Sequence, residues 1–280
     1  MRVSVILSTY NAPEWLEKVL WGYAVQSHRD FELLVADDGS TRETALLIHQ
    51  LRGQTGLTLR HLWQEDRGFR KCTILNKAIR AARGDYLIFS DGDCIPRGDF
   101  VARHVELARP RCLLSGGYVR LPMAVSRRIT IPDVFAGRAT DPEWLFARGL
   151  HDPKWRFRLA SGPVVPRVLD MLTTTRATLN GCNASTWKRD VVRVNGFDER
   201  MGYGGLDREL GERLVNAGVR PIQVRYRAVC VHLDHARGYV SEEAWRANRE
   251  LRRQTRRNRA VWTPYGIRQA PLPSSQRRAA

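Results

Sequence analysis

From its first residues the chain alternates unbroken apolar runs with segments whose apolar positions recur every three or four residues. Residues 3–8 (VSVILS) predict a strand buried on both faces, ending in the polar turn Thr9, Tyr10, Asn11. A helix is expected next, with Pro13 in its first turn and Trp15, Leu16, Val19, Leu20 and Tyr23 on one face. A second strand, 31–36, closes on Asp37-Asp38-Gly39-Ser40-Thr41, followed by a helix around 42–52 and a short strand at 57–63. The segment 71–82 predicts a helix with Ile74, Leu75, Ala78 and Ile79 together; Gly84 ends it, and 86–90 (YLIFS) runs as a strand into Asp91-Gly92-Asp93. Strands and helices alternating at this spacing make parallel βαβ units.

Beyond residue 118 the pattern changes. Residues 119–180 hold six prolines, Trp144, Trp155 and many arginines with little clean period, which predicts an irregular or partly helical insertion. Apolar segments return at 182–194 and 219–231. The stretch 241–259 predicts a helix with Ser241 as N-cap and acids in its first turn, displaying Arg246, Arg249, Arg252, Arg253, Arg256, Arg257 and Arg259. Residues from about 268 are rich in Pro, Ser and Arg and predict disorder. The chain therefore divides at 1–118, 119–240 and 241–280.

Composition narrows the class. A chain of 280 residues that is 43% hydrophobic can build one or two domains with a sizeable core, which excludes a disordered or fibrous protein. Its five cysteines (72, 94, 112, 182, 230) are odd in number, scattered and never in a C-x-x-C pair, so a reducing compartment is expected rather than a disulfide framework or zinc ribbon. The apolar run in MRVSVILSTY is too short for a signal peptide, and no stretch approaches the roughly 20 apolar residues of a membrane span. A cytoplasmic location is expected, with peripheral association at the inner face of a membrane left open. The 46 Lys+Arg against 29 Asp+Glu give +17, and all but five of the basic residues are arginine. Arginine suits phosphate and carboxylate recognition, though codon usage accounts for the same skew. No helix-turn-helix, zinc-finger or RNA-binding signature accompanies the charge, so no specific nucleic-acid partner is expected.

Ligands of a parallel α/β sheet bind beyond the carboxyl ends of its strands. Three polar clusters fall at such ends: Thr9-Tyr10-Asn11, Asp37-Asp38 and Asp91-Gly92-Asp93. Neither a G-x-G-x-x-G nor a G-x-x-x-x-G-K-[ST] fingerprint is present, which weighs against dinucleotide and P-loop chemistry. Asp91 and Asp93, two residues apart beyond an extended run, project to one side, with Gly92 permitting the turn between them. Two convergent carboxylates repel unless a cation or donor lies between them, and a hard divalent ion bridging to a diphosphate suits them. A solvated surface turn is the alternative, as a plain Asx turn is for Asp37 and Asp38.

The series VILSTYN, VADDGST, WQEDRGFRKCTILNKAI, RGDYLIFSDGDCIP and NGCNASTWKRDVVRVNGFDERMGYGGLDREL resembles, in this order, a family 2 glycosyltransferase with the GT-A fold. Its distal part is similar to the galactosyltransferase-type catalytic segment of bacterial chondroitin polymerases and animal β4-galactosyltransferases. The resemblance covers residues 1–118 and 180–235. It implies an α/β fold with a mostly parallel central sheet flanked by helices, an acceptor-side insertion and a C-terminal basic helix. Residues 1–118 would form the nucleotide-sugar-binding half, 119–240 the acceptor-binding and catalytic half, and 241–280 the basic helix and tail.

By the same resemblance Thr9, Tyr10 and Asn11 line the nucleotide pocket, and Asp38, with Asp37 beside it, hydrogen-bonds the uracil ring. Arg67, Arg70 and Lys77 lie near the nucleotide, where basic side chains meet phosphate, although Asn76 and Lys77 also suit exposed helix positions. Asp91-Gly92-Asp93 matches the D-x-D motif, with Asp93 the more direct metal ligand. Tyr203, Gly204, Gly205 and Leu206 fall on the acceptor segment and Asp207 on the general base, a position that also suits a helix cap. Leu206 stands where the family usually has Glu, a departure on the acceptor side that leaves the base intact. His232 matches a histidine completing the metal site, with a structural histidine as its alternative; His235 is the poorer candidate, and Asp234 a supporting partner.

The implied activity is Mn²⁺- or Mg²⁺-dependent inverting transfer from a UDP-sugar to a glycan or glycolipid, in polysaccharide, capsule or lipopolysaccharide assembly. One rival is a nucleotidyltransferase making nucleotide-sugars, but VILSTYNAPEWLEK lacks the glycine-rich basic signature of that class. Another is a non-enzymatic basic relative that binds nucleic acid or glycan, against which Asp91, Asp93 and Asp207 stand. The arginine-rich 119–180 and 241–259 are where an anionic glycolipid or acidic membrane surface is expected.

Overall fold

A computed structural model of the chain describes residues 1–236 and 240–268. At its centre is an eight-stranded mixed sheet in the order β3-β2-β1-β4-β7-β6-β8-β5. The first part of the chain supplies β1 (Val3–Thr9), α1 (Pro13–Ala24), β2 (Phe31–Asp37), α2 (Arg42–Thr55), β3 (Thr58–Trp63), α3 (Lys71–Ala81), β4 (Tyr86–Asp91), the short β5 (Cys94–Pro96) and α4 (Phe100–Leu107). Strands β1 to β4 form a parallel group with helices between them, as the apolar pattern predicts. Successive side chains of a strand point to opposite faces. Val5, Leu7, Leu33, Val35 and Ile88 therefore enter one core layer with α1, α2 and α4. Ile6, Leu34, Ala36, Leu87 and Phe89 enter the other, with α3. Because both faces are covered, these strands read as apolar runs rather than as alternations.

The rest of the chain adds β6 (Cys112–Arg120), α5 (Met123–Arg128), α6 (Ile131–Phe135), α7 (Pro142–Phe146), α8 (Lys154–Leu159), α9 (Val165–Leu172), β7 (Asn183–Trp187), α10 (Lys188–Arg193), α11 (Leu206–Asn216), β8 (Arg220–His232) and α12 (Glu242–Arg257). The segment expected to be irregular or partly helical is a string of helices, each five to eight residues long. Helices so short do not hold themselves together. Helices α5 to α8 are held by Val125, Ile129, Val134, Leu145 and Leu159, which enter the core layer of α1, and α9 is fastened to β8 through Asp170. The prolines are helix punctuation: Pro122 and Pro153 precede α5 and α8, while Pro132, Pro142 and Pro166 occupy the first turns of α6, α7 and α9.

Strand β7 runs antiparallel between β4 and β6, and β8 runs parallel to β6 and antiparallel to β5. The β6–β8 register shifts at Gly116/Gly117, where a Cβ on Gly117 would stand 1.9 Å from the Arg225 carbonyl oxygen. Only glycine admits that approach. The register also assembles the polar clusters, pairing Ser8 with Asp91, Thr9 with Asp37, Ser90 with Asn183, and Cys94 with His232. Ser241 caps α12, its hydroxyl accepting from the Ala244 N–H at 3.3 Å. The expected disordered end lies outside the described residues. Among the described residues no helix is long and apolar enough to cross a membrane.

Candidate active site

Strand β4 ends at Asp91 beside β1. Ser8 Oγ and Lys71 Nζ both donate to Asp91 Oδ1, at 2.6 and 2.7 Å. Burial opposes the Lys71 charge, but Asp91, with Asp93 and Asp207 further off, raises its pKa well above the usual lysine value. One ammonium at the start of α3 thus lies in the field of three carboxylates. Gly92 packs against β1, where a Cβ would meet the Ser8 carbonyl oxygen and the Thr9 side chain at 3.1 Å.

Asp93 faces two histidines. Its Oδ2 is 3.0 Å from His235 Nε2 and its Oδ1 is 3.7 Å from His232 Nε2, and the two imidazoles stack with centroids 5.6 Å apart. Burial pushes the Asp93 carboxyl up, but the hydrogen bond from His235 and the charge of both rings bring it down to about 2. His235, the poorer candidate by sequence, is the nearer ring; Asp234 donates its backbone N–H to Ser126 Oγ at 2.9 Å.

The donors of Asp93, Cys94 and His232 lie within 4.8 Å of one another, as do those of Asp91, Cys94 and Cys182. His232 Nδ1 is buried with no hydrogen-bond partner. Burial raises the Cys94 thiol, and the Cys94 contact together with burial raises that of Cys182, so both stay neutral. The available donors are then carboxylate oxygens and imidazole nitrogens, and that set fits a divalent cation of the Mn²⁺ or Mg²⁺ type.

The adjoining strand ends are tightly wired. Asp37 is fully buried, accepting the Ser40 N–H at 2.8 Å and pairing with His61 Nε2 at 2.9 Å. Asp38 accepts from Gln64 Nε2 at 2.6 Å and from the Arg70 N–H at 2.8 Å, and burial raises its pKa against those bonds. Asp37 therefore builds the turn, while Asp38 ties the 64–70 loop over the strand ends. Thr9 is buried with its Oγ1 unpartnered. Asn11, at φ +45°, accepts the Thr41 N–H, and the exposed Tyr10 hydroxyl donates to Asp66 at 2.9 Å.

Arg70 Nη2 donates to the Glu65 carbonyl at 2.7 Å, leaving its buried Nε without a partner, and exposed Arg67 pairs with Glu65. Lys77 is not brought into this group. It sits nearly two turns beyond Lys71, about 9 Å along α3 and away from the strand ends. The α3 cation at the strand ends is Lys71, which the sequence reasoning passed over. Its available signal was its place at the opening of a helix entered from a strand end.

In the segment before α11, Gly204 and Gly205 take φ of +108° and +81°, and the helix begins directly after them. Asp207 stands in its first turn, with Oδ2 accepting the Gly181 N–H at 2.9 Å. Gly181 lies just before β7, whose start is beside the end of β4, so Asp207 is carried to the edge that holds Asp91. Leu206 turns into the core with Met201 and Leu210. Tyr203 packs edge-on between Phe69 and Trp245, at 5.9 and 6.1 Å between centroids. Buried Asn248 of α12 donates to the carbonyls of Gly202, Tyr203 and Gly204 at 3.0, 3.0 and 2.9 Å. Trp245 covers Gly204 so closely that a Cβ there would lie 2.8 Å from its ring. The roles of Asn248 and Trp245 depend on how α12 docks, and the sequence carries no local signal of them.

A mixed eight-stranded sheet flanked by helices, with its polar residues gathered at one edge, has the architecture of a GT-A glycosyltransferase. The profile of Glycosyl transferase family 2 matches residues 4–122, and that of the N-terminal domain of galactosyltransferase matches residues 172–236. An uncharacterized glycosyltransferase of Bacillus subtilis, YfnE, is 36% identical over 276 residues, covering 89% of this chain and 69% of the relative. Validoxylamine A glucosyltransferase of Streptomyces hygroscopicus subsp. jinggangensis is 29% identical over 244 residues, covering 84% of this chain and 56% of its own. Chondroitin synthase of Escherichia coli is 25% identical over 235 residues, covering 77% and 32%. Among solved structures, the mannosyltransferase PcManGT from Pyrobaculum calidifontis, in complex with GDP-Man and Mn²⁺, superposes with a TM-score of 0.58 at 26% identity, covering 89% of this chain and 60% of that one. The chain belongs to glycosyltransferase family 2. It spans about half the length of the validoxylamine A glucosyltransferases that it matches.

Proposed function

We propose that the chain transfers a sugar from a UDP-sugar to a hydroxyl of a glycan or glycolipid, inverting the anomeric carbon, in the assembly of a polysaccharide, capsule or lipopolysaccharide. The observation that carries this reading is one sheet edge at which Asp91 is bonded to Lys71, Asp93 faces His232 and His235, and Asp207 is held by the Gly181 N–H. Thr9, Tyr10, Asn11, Asp37, Asp38 and the 64–70 loop shape the nucleoside side. Lys71 and Arg70 bring positive charge to the diphosphate. Asp91, Asp93 and His232, with His235, would hold Mn²⁺ or Mg²⁺, which when bound supplies Lewis-acid neutralisation of the leaving diphosphate.

Asp207 is the base. The Gly181 N–H fixes its Oδ2, leaving Oδ1 to take the proton of the attacking hydroxyl. The Tyr203 ring and the Gly204-Gly205 backbone frame that acceptor, and the basic second half meets an anionic membrane surface. Asp207→Asn should abolish transfer while leaving UDP binding nearly unchanged, and a fully active variant would overturn the assignment. A donor panel of UDP- and GDP-sugars with Mn²⁺, scored by hydrolysis, tests the nucleotide; turnover with GDP-sugars alone would replace UDP in the reading.

A further inference from the structure

Helix α9 is amphipathic in an inverted sense. At about 100° per residue, Val164, Val165, Val168, Met171 and Leu172 fall within an arc of about 120°. All five are exposed, from 44% at Val168 to 77% at Met171. On the opposite side Pro166 and Asp170 are buried. Asp170 accepts the Tyr226 N–H at 2.9 Å and Arg227 Nε at 2.6 Å, so a carboxylate fastens α9 to β8. The ordinary surface helix turns its apolar stripe inward and its charges outward. Here a directed ion pair fixes the reverse orientation. Single exposed apolar residues need no explanation, but a contiguous set of five on one face does.

The surroundings are basic. Residues 148–178 contain six Lys and Arg (148, 154, 156, 158, 167, 176) and two acids, Asp152 and Asp170. Both acids are engaged, Asp152 with Lys154 and Asp170 with Arg227. Arg167 is exposed on α9 at the flank of the apolar arc, and exposed Arg176 follows the helix.

We propose that α9 seats the protein on an anionic bilayer, with its apolar arc at the acyl boundary and the neighbouring arginines among the headgroups. Charge selects this occupant. A second copy would bring +17 against +17, whereas an anionic surface complements it. The inference rests on the membrane-side partner proposed above and gives that partner a site.

The test is co-sedimentation of the full chain with vesicles of phosphatidylglycerol and phosphatidylcholine, against pure phosphatidylcholine. Binding to the anionic vesicles is expected. The triple variant Val168→Ser, Met171→Ser, Leu172→Ser should weaken it at least about tenfold, and Arg167→Gln about fivefold. Circular dichroism, melting and UDP-sugar hydrolysis without vesicles should stay unchanged in both variants. Three results would overturn the proposal: no binding to anionic vesicles, equal binding by the triple variant, or a dimer in sedimentation velocity that the triple variant abolishes. Vesicle binding needs no sugar nucleotide. A chain that binds vesicles yet transfers no sugar would refute the proposed activity and leave this inference standing.

Discussion

Lys71 is bonded to Asp91 and lies in the field of Asp93 and Asp207, and in the proposed function its ammonium offsets the negative charge that would repel the donor diphosphate. Lys71→Met removes that charge from a side chain only 23% exposed and leaves Asp91 with the Ser8 hydroxyl. Transfer should fall about 10²–10³-fold, the cost of deleting one preorganised electrostatic partner, with melting little changed. Steady-state kinetics with thermal denaturation checks this, and undiminished kcat/KM would remove Lys71 from the mechanism. The histidines separate by a second measurement. If both imidazoles serve the cation, His232→Ala and His235→Ala should each weaken Mn²⁺ binding about 10–100-fold in a paramagnetic titration, and chelation should stop transfer. Unchanged titrations would leave both rings structural. At this scale the sequence was informative where a motif sits on a strand end, since strand ends are local. That is why Asp91, Asp93 and the Asp37-Asp38 pair could be placed. It did not separate Lys71 from Lys77, because which turn of α3 faces the edge depends on how the helix crosses the sheet. Nor did it decide which of Asp37 and Asp38 makes the turn, a choice settled by His61 and Gln64 on the neighbouring strand and loop.

Among elements, α12 matters most for the site because Asn248 holds three consecutive carbonyls of the loop that precedes Asp207. Asn248→Ala should cost about 1–3 kcal/mol of stability and lower kcat more than it changes donor KM, since in the proposed function that loop frames the acceptor. Kinetics with both substrates varied checks that split; a pure donor-KM effect would contradict it. Helix α4 carries a different liability. His104 is fully buried, with Nδ1 2.7 Å from Ser185 Oγ and Nε2 2.9 Å from Asn183 Oδ1. Burial lowers its pKa to about 4, only partly offset by the Asn183 contact, against an ordinary 6.5. Between those values the unfolded chain binds the proton and the folded one does not. Stability is therefore fully present above pH 6.5 and declines as pH falls toward 4, by on the order of 3 kcal/mol. Urea midpoints at pH 7.5 and 4.5 should converge in His104→Gln relative to the wild type, and an equal difference in both would refute the assignment. The strands and helices of the first part were legible because each spans a full apolar period. The insertion was not, because helices of five to eight residues give at most about two turns of pattern, and their order comes from tertiary packing. The antiparallel entry of β7 was equally hidden, being a long-range pairing.

For the whole molecule the question is where the +17 acts. Part of the arginine on α12, expected to be free for an acidic surface, has structural partners: Arg252 and Arg256 bind Glu212 of α11, and Arg253 binds Glu250. That shifts weight to the insertion, where basic residues outnumber acids and accompany an apolar arc. The two kinds of anionic partner then differ in their response to salt. Binding to a polyanion is counterion release, and a protein meeting six to ten phosphates loses about 10³–10⁵ in affinity between 50 and 200 mM salt. Apolar burial carries no such dependence, so contact through the arc should decline far less over the same range. Measured in one salt series, RNA and single-stranded DNA should bind alike, without sequence preference, and be released by about 200 mM, the point by which an electrostatic-only contact is lost. Anionic vesicles should still retain the chain there. Sequence-selective RNA binding that outlasts vesicle binding would assign the charge to nucleic acid instead, and the outward face of α9 would then lose the electrostatic argument for its partner.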